Sequence, residues 1–153
     1  QQRNTRVLLV TPGNRALELG LSTARARRLA TVEKVGPDSL AKPEFQRQLQ
    51  SEAYDLVIFD QCAPEKPEQM PQANTLFIGR LPPLPAWREK SSTTAEFAPQ
   101  IIDWQRGHPL LNLVELGNIS IVDSLIVRPP LGGKALVEST KGPLLAIAPR
   151  DSF

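Results

Sequence analysis

The amino-acid sequence predicts an α/β fold in three layers, with a parallel sheet in the middle and a β-rich, antiparallel C-terminal third. Two observations lead to this prediction. In the first half of the chain, short runs of aliphatic residues alternate with segments of helical periodicity, which is the pattern of strands joined by crossover helices. In the C-terminal third, prolines and short apolar runs replace the helical segments, and this favours hairpins.

The first strand is predicted at 6–11, where RVLLVT is rich in aliphatic and β-branched residues, as in a sheet covered on both faces. Pro12-Gly13-Asn14 follows as a turn. Residues 15–29 have helical periodicity, and Gly20 and Ser22 can split them, because Ser22 can cap a second helix. Residues 30–36 alternate valines with charges, which predicts a strand nearer an edge of the sheet.

Two more strands complete the parallel sheet. Pro43 suits the first turn of a helix over 43–52, in which Phe45 and Leu49 would face the sheet. The segment 54–60 (YDLVIFD) is the clearest strand in the chain, and 74–79 (NTLFIG) is the next. Right-handed crossovers then predict the strand order 2-1-3-4, which is typical of flavodoxin-like sheets.

The rest of the chain has weaker signals. Residues 61–73 and 80–99 are predicted to be irregular because they hold many prolines and no helical periodicity. A short strand is expected at 100–104, and His108-Pro109 is expected to open a helical turn that reaches Val114.

Three further strands are predicted near the C-terminus. Residues 118–128 alternate well enough for one long strand. Residues 135–139 and 143–148 flank Thr140-Lys141-Gly142, which predicts a β-hairpin with Gly142 in the left-handed region.

The composition limits the chemistry of the chain. Its 153 residues are 41% hydrophobic and 22% charged, which suits one domain over 1–153. One cysteine excludes a disulfide framework within the chain, and one histidine excludes a multi-histidine metal centre. The apolar runs are too short to span a membrane, so we expect no direct membrane insertion by this segment. We predict no metal site and no cofactor.

Positive charge is concentrated near the N-terminus. The net charge is +2, but residues 1–36 carry seven basic and two acidic side chains. Such a segment could favour a polyanion, although the solvated face of a helix is the simpler interpretation. No aromatic residue lies between these arginines, so no stacking platform is present and we predict no nucleic-acid partner.

Five segments together resemble a known family. They are RVLLVTPGN, YDLVIFD, NTLFIG, RGHPLLNLVEL and KGPLLAIAPR, in this order. They are similar to the class I glutamine amidotransferase-like domain, in the version found beside a von Willebrand factor A domain in bacterial membrane proteins of the aerotolerance-regulator type. The resemblance implies a domain outside the cytoplasm, in a membrane-associated protein with flanking transmembrane helices.

The catalytic parts of an active amidotransferase do not match this sequence. Such an enzyme needs a cysteine at a sharp elbow after the fourth strand, but here that strand is followed by Arg80 and then by prolines. Cys62 falls instead in the loop after the third strand, which lacks the expected oxyanion-binding glycines. His108 is followed by Pro109 and lacks the acidic residue two positions later. We therefore expect a non-catalytic domain.

The ends of the chain lead to two further expectations. The N-terminus has neither Met nor an apolar signal region, which fits a mature or excised fragment. The family usually continues with another strand and a C-terminal helix beyond the point where this chain stops at Phe153. We therefore expect a domain cut short at its C-terminus, with an exposed sheet edge that forms a homodimer or a strand-exchanged assembly.

Candidate site residues gather where the predicted parallel strands end, because ligands bind at that end in such folds. Cys62 is either an inert, partly buried thiol or a reactive one, and a dyad of Cys62 with His108 is a weaker alternative. The turn after the first strand could bind an anion through its N–H groups, and Asp60 could act as an acid, a Mg²⁺ ligand or a turn cap. The ligand-binding candidates are Thr11, Gly13, Asn14, Asp60, Gln61, Cys62 and Arg80.

The sequence therefore favours a non-catalytic interaction or sensing domain of a larger membrane-associated protein. Its working surface would be the carboxyl end of the sheet, and its partner another protein or a neighbouring domain of the same chain. Two alternatives remain open at this point: a divergent cysteine-dependent amidotransferase or hydrolase that uses Cys62 and His108, and a small anion-binding module.

Overall fold

The computed structural model describes residues 4–92, 94–111 and 114–150. The chain divides into two compact units, Gln1–Pro83 and Leu84–Phe153. Unit 1 has one sheet and unit 2 has two, and each unit has its own apolar core. The assignment of the whole chain to a single domain stays a prediction.

Unit 1 contains the parallel sheet that the sequence predicts. Its strands are β1 (Thr5–Val10), β2 (Ala30–Val35), β3 (Leu56–Asp60) and β4 (Asn74–Ile78). They pair in parallel in the order β2-β1-β3-β4, so both the α/β class and the strand order are confirmed. Each strand lies within two residues of its predicted bounds.

Short helices connect these strands. They are α1 (Arg15–Leu21), α2 (Ala24–Leu29) and α3 (Pro43–Gln50), with 3₁₀ turns at Pro37–Ala41 and Pro67–Gln69. The predicted split between α1 and α2 is present, but the predicted cap is wrong. Ser22 ends α1 with its N–H bonded to Leu19 O, and the Thr23 hydroxyl accepts the Ala26 N–H at 3.2 Å to cap α2.

Two apolar clusters cover the two faces of the parallel sheet. On one face, Phe45 and Leu49 of α3 pack against β1 and β3, as predicted from their spacing. Phe59 and Phe77 stack on this face with ring centroids 5.0 Å apart. On the other face, Leu17 of α1 packs against a smaller cluster around Leu9.

Unit 2 is antiparallel, as predicted for the C-terminal third. Its elements are α4 (Pro85–Arg88), β5 (Glu96–Phe97), β6 (Ile101–Trp104), β7 (Asp123–Ser124), β8 (Lys134–Ser139) and β9 (Gly142–Ile147). They form a two-stranded β5-β7 sheet and a three-stranded β6-β8-β9 sheet. The predicted hairpin is confirmed as β8 and β9, and Gly142 has a φ of +137°.

The predicted strand over 118–128 is wrong. Within it only the two residues of β7 are in a strand. Further along, the N–H groups of Ile126 and Arg128 donate to the hydroxyls of Ser92 and Ser91, at 2.8 and 2.9 Å. Between them, the Val127 N–H donates to Pro143 O of β9 at 2.9 Å. The backbone here therefore has a mixture of side-chain and backbone partners without a regular ladder, and a local pattern of alternation does not reveal these partners.

The helical turn predicted from His108 to Val114 is described only in part. The Leu111 N–H donates to His108 O, and residues 109–111 form a turn. Residues 112 and 113 lie outside the described residues.

Among the helices that the structure describes, none has the length and apolar character needed to cross a membrane.

Candidate functional site at the carboxyl end of the parallel sheet

The parallel sheet brings most of the predicted site residues to one end of unit 1. Thr11 and Asn14 follow β1, Asp60 ends β3, Cys62 comes two residues later, and Arg80 follows β4. Because β1, β3 and β4 are neighbours and run in the same direction, their carboxyl ends meet at one edge.

Asp60 is the centre of this cluster. It is fully buried, and its two carboxylate oxygens have different partners. Oδ2 accepts the Thr11 hydroxyl at 2.5 Å, and Oδ1 accepts the side-chain N–H of Asn14 at 3.3 Å. A buried carboxylate is costly unless it is hydrogen-bonded, so these bonds hold the loops after β1 and β3 together.

The turn after β1 has few N–H groups left for a ligand. Pro12 has none, the Gly13 N–H donates to the Thr11 hydroxyl at 3.1 Å, and the Asn14 N–H donates to the Glu18 carboxylate at 2.9 Å. In return, the Asn14 side chain accepts the Leu17 N–H and caps α1. Glu18 thus occupies the position in which a bound anion would sit.

Glu18 is a site residue that our sequence reasoning did not identify. Its hydrogen bond with Lys34 lowers the pKa of its carboxyl group, and its bond to the Asn14 N–H adds to this effect. Lys34 and Glu18 also form an ion pair. Glu18 lies four residues after the Asn14 cap, one position beyond the spacing of a capping box, so the sequence signal is only its place in the first turn, where an acidic residue is favourable. The anionic side chain makes this turn a poor site for a second anion.

Cys62 is a buried thiol that already has a hydrogen-bond partner. Its Sγ donates to the Val10 carbonyl oxygen at 3.4 Å, which ties the loop after β3 to β1. Burial raises the pKa of the Cys62 thiol, the negative charge of Asp60 raises it further, and the positive charge of Arg80 partly opposes them. A thiol with a raised pKa is a poor nucleophile at neutral pH because little thiolate is present.

Gln61 has an unusual backbone conformation beside the same cluster. Its φ is +58°, in the left-handed region, and its N–H donates to Ile78 O at 2.8 Å. Its side chain lies over Gly79, which itself has a φ of +75°. Gln61 and Arg80 are both exposed, so they are the predicted site residues with side chains that face solvent at this end of the sheet.

His108 belongs to unit 2, whereas Cys62 belongs to unit 1. The imidazole of His108 is half-buried, and its Nδ1 accepts the Leu110 N–H at 3.2 Å, which is a local turn contact. The dyad of these two residues stays a prediction.

Within the residues that the structure describes, no three His, Cys, Asp or Glu side chains are grouped as they would be around a metal ion.

Unit 2 contains a separate cleft of about 390 Å³. It lies between residues 98–101 and 116–121, and its mostly polar lining also includes the side chains of Ile101, Leu116 and Ile121. It has no titratable side chain in its lining, so it offers no group for acid–base chemistry.

Comparison of the chain with models of known families, with curated proteins and with solved structures finds no match.

Proposed function

We propose that this chain is a non-catalytic interaction or sensing domain within a larger, membrane-associated bacterial protein. The segments that resemble the class I glutamine amidotransferase-like domain support this context, and with it an extracytoplasmic location. The partner in this proposal is another protein or a neighbouring domain of the same polypeptide.

One observation carries the non-catalytic part of the proposal: Asp60 and Cys62, which could act on a substrate, already have hydrogen-bond partners within the protein. Asp60 is fully buried and accepts from Thr11 and Asn14, and the Cys62 thiol donates to a backbone carbonyl. A general base or nucleophile needs to reach a reacting atom within hydrogen-bond distance. Here the same groups hold the loops of the sheet in place.

The same bonds support a rigid contact surface. The loop after β1 is joined to the loop after β3 through Asp60, and the loop after β3 is joined to β4 through the backbone bond from Gln61 to Ile78. A preorganised surface loses little conformational entropy when a partner binds. In this proposal the exposed side chains of Gln61 and Arg80 contact the partner.

The test is complementation of a deletion strain with the full-length gene of the organism that encodes this chain. We expect Arg80→Glu to abolish complementation, because it reverses the charge of an exposed side chain in the proposed contact surface. Arg25→Glu is the matched control, since Arg25 is also exposed and lies in the first turn of α2, where an acidic residue is favourable. Equal complementation by both variants would contradict the proposed surface.

A second pair of variants separates binding from catalysis. We expect the double variant Cys62→Ala, His108→Ala to complement as well as the wild-type gene. If the double variant loses stability, His108→Ala alone decides the matter, because the imidazole makes only a local turn contact. Loss of complementation by a folded His108→Ala protein would favour the cysteine-dependent enzyme instead.

A further inference from the structure

β4 is an edge strand of the parallel sheet, with β3 on one side and no strand on the other among the described residues. The Gln61 N–H donates to Ile78 O, so the polar backbone groups of Ile78 point towards β3. Backbone groups alternate along a strand, so those of Leu76 also point towards β3, and those of Thr75 and Phe77 point outward. Within unit 1, no residue that the structure describes bonds to these outward groups.

The side chains of β4 do not protect this edge. No charged residue occurs from Pro71 to Gly79, and Leu76, in the middle of the strand, is 39% exposed. β2, at the opposite edge of the same sheet, carries the exposed charges of Glu33 and Lys34. Charged side chains are a usual protection of edge strands against pairing with another chain, so only one edge of this sheet is protected in that way.

We propose that two copies of this chain pair through β4, antiparallel, about a two-fold axis that passes next to Leu76. This pairing joins the two four-stranded parallel sheets into one continuous sheet. The dimer does not depend on the proposed non-catalytic function, because it uses the edge of the sheet and leaves its carboxyl end free.

The register follows from the positions of the outward groups. With Leu76 on the axis, Thr75 of each copy lies opposite Phe77 of the other, and each such pair exchanges two hydrogen bonds. All the outward backbone groups of Thr75 and Phe77 then have partners. A β-branched residue opposite an aromatic one is also a favourable cross-strand pair.

The two copies of Leu76 meet at the axis. They form a pair without mutual hydrogen bonds, in which the Cα atoms of an antiparallel ladder are about 4.5 Å apart and the side chains are closest. The exposed Leu76 side chain is thereby covered by its own counterpart, and no like charges oppose each other because the strand carries none.

The first test is the monomer–dimer equilibrium by sedimentation equilibrium, with a reducing agent present. We expect Leu76→Lys to raise the dissociation constant of the dimer at least about tenfold, because it places two like charges directly opposite each other. Thr31→Lys is the matched control on the β2 edge, where Thr31 is exposed, and should leave the dissociation constant unchanged. A wild-type chain that is monomeric over a wide concentration range would overturn the proposal, as would a dimer insensitive to Leu76→Lys.

The second test reads the register directly. In a Cys62→Ala background, Leu76→Cys should form an intermolecular disulfide under mild oxidation, since Cα atoms about 4.5 Å apart fall within disulfide geometry. Asn74→Cys is the control on the same edge, because its two copies would lie about 13 Å apart along the strands. Equal cross-linking of both variants, or cross-linking of Asn74→Cys alone, would overturn the Leu76-centred pairing.

Discussion

The side chain of Gln61 lies against the Cα of Gly79, in the space where any other residue would carry a Cβ. A Cβ added at Gly79 would be 2.6 Å from Gln61 Cδ, which is closer than such atoms approach. Both residues have a positive φ, +58° for Gln61 and +75° for Gly79. The Gln61 side chain therefore covers the backbone of Gly79, beside the Asp60 cluster.

The positive φ of Gly79 predicts a large difference between two glycine substitutions. Gly79→Ala should lower the free energy of unfolding by about 1–2 kcal/mol, because alanine is strained at a positive φ. Gly20→Ala should raise it by about 0.5–1 kcal/mol, since alanine is the better helix former. Gly20 lies within α1 and has no heavy atom within 4 Å of an added Cβ. Urea titrations followed by far-UV circular dichroism measure both changes, and equal effects would contradict the prediction.

The bond between Thr11 and Asp60 predicts a stability effect inside the candidate site. Thr11→Val removes the hydroxyl but keeps the branched shape, so the fully buried carboxylate of Asp60 loses its closest donor. We expect a loss of about 2–3 kcal/mol in the free energy of unfolding, which is typical when a charged buried group loses a partner. Thr31→Val on the exposed side of β2 is the control and should change it little. A similar effect of both substitutions would show that the bond contributes nothing specific.

The environment of Cys62 predicts slow alkylation. Burial raises the pKa of this thiol, so its thiolate fraction at neutral pH is lower than that of an ordinary cysteine. At neutral pH, iodoacetamide should modify the folded chain more slowly than it modifies glutathione. The rate of modification should increase with pH, and the midpoint of this increase should lie at alkaline pH. In urea the thiol is exposed and should react at an ordinary rate. Fast modification of the folded chain at neutral pH would instead indicate an activated thiol.

The raised pKa of the Tyr54 hydroxyl predicts a loss of stability at alkaline pH. Partial burial, followed by the hydrogen bond from its hydroxyl to Glu33, raises the pKa of Tyr54 from its ordinary value near 10 to about 12. The folded state therefore holds this proton more tightly than the unfolded state does. The stabilisation that results is complete below pH 10 and is lost as the pH rises towards 12.

The measurement is simple because the chain has a single tyrosine. The ultraviolet absorbance of tyrosinate reports the titration of Tyr54 alone, and its midpoint should lie well above that of free tyrosine. The free energy of unfolding of Tyr54→Phe should lack the decrease that the titration of Tyr54 causes between pH 10 and 12. A midpoint near 10 in the folded chain would be evidence against the proposed contact with Glu33.

The parallel sheet could be predicted because each of its strands and helices has a sequence pattern that lies within the element itself. Strands buried on both faces appear as continuous aliphatic runs, such as residues 7–10, and proline and the spacing of Phe45 and Leu49 identify α3. Right-handed crossovers then leave few possible strand orders. The strand predicted over 118–128 was wrong because the backbone of this segment takes scattered partners from outside it, the hydroxyls of Ser91 and Ser92 and the carbonyl oxygen of Pro143, in place of a regular ladder.

By itself, the sequence determined the kind and order of the elements in unit 1 and the scarcity of reactive groups, with one cysteine and one histidine. It also placed Thr11, Asp60 and Cys62 at the end of the sheet, because parallel strands bring their carboxyl ends together. Only the tertiary structure decided what these groups do there. The partners of Asp60 and Cys62 lie 49 and 52 residues away in the chain, so only the folded sheet brings them within hydrogen-bond distance, and that pairing makes them part of the scaffold.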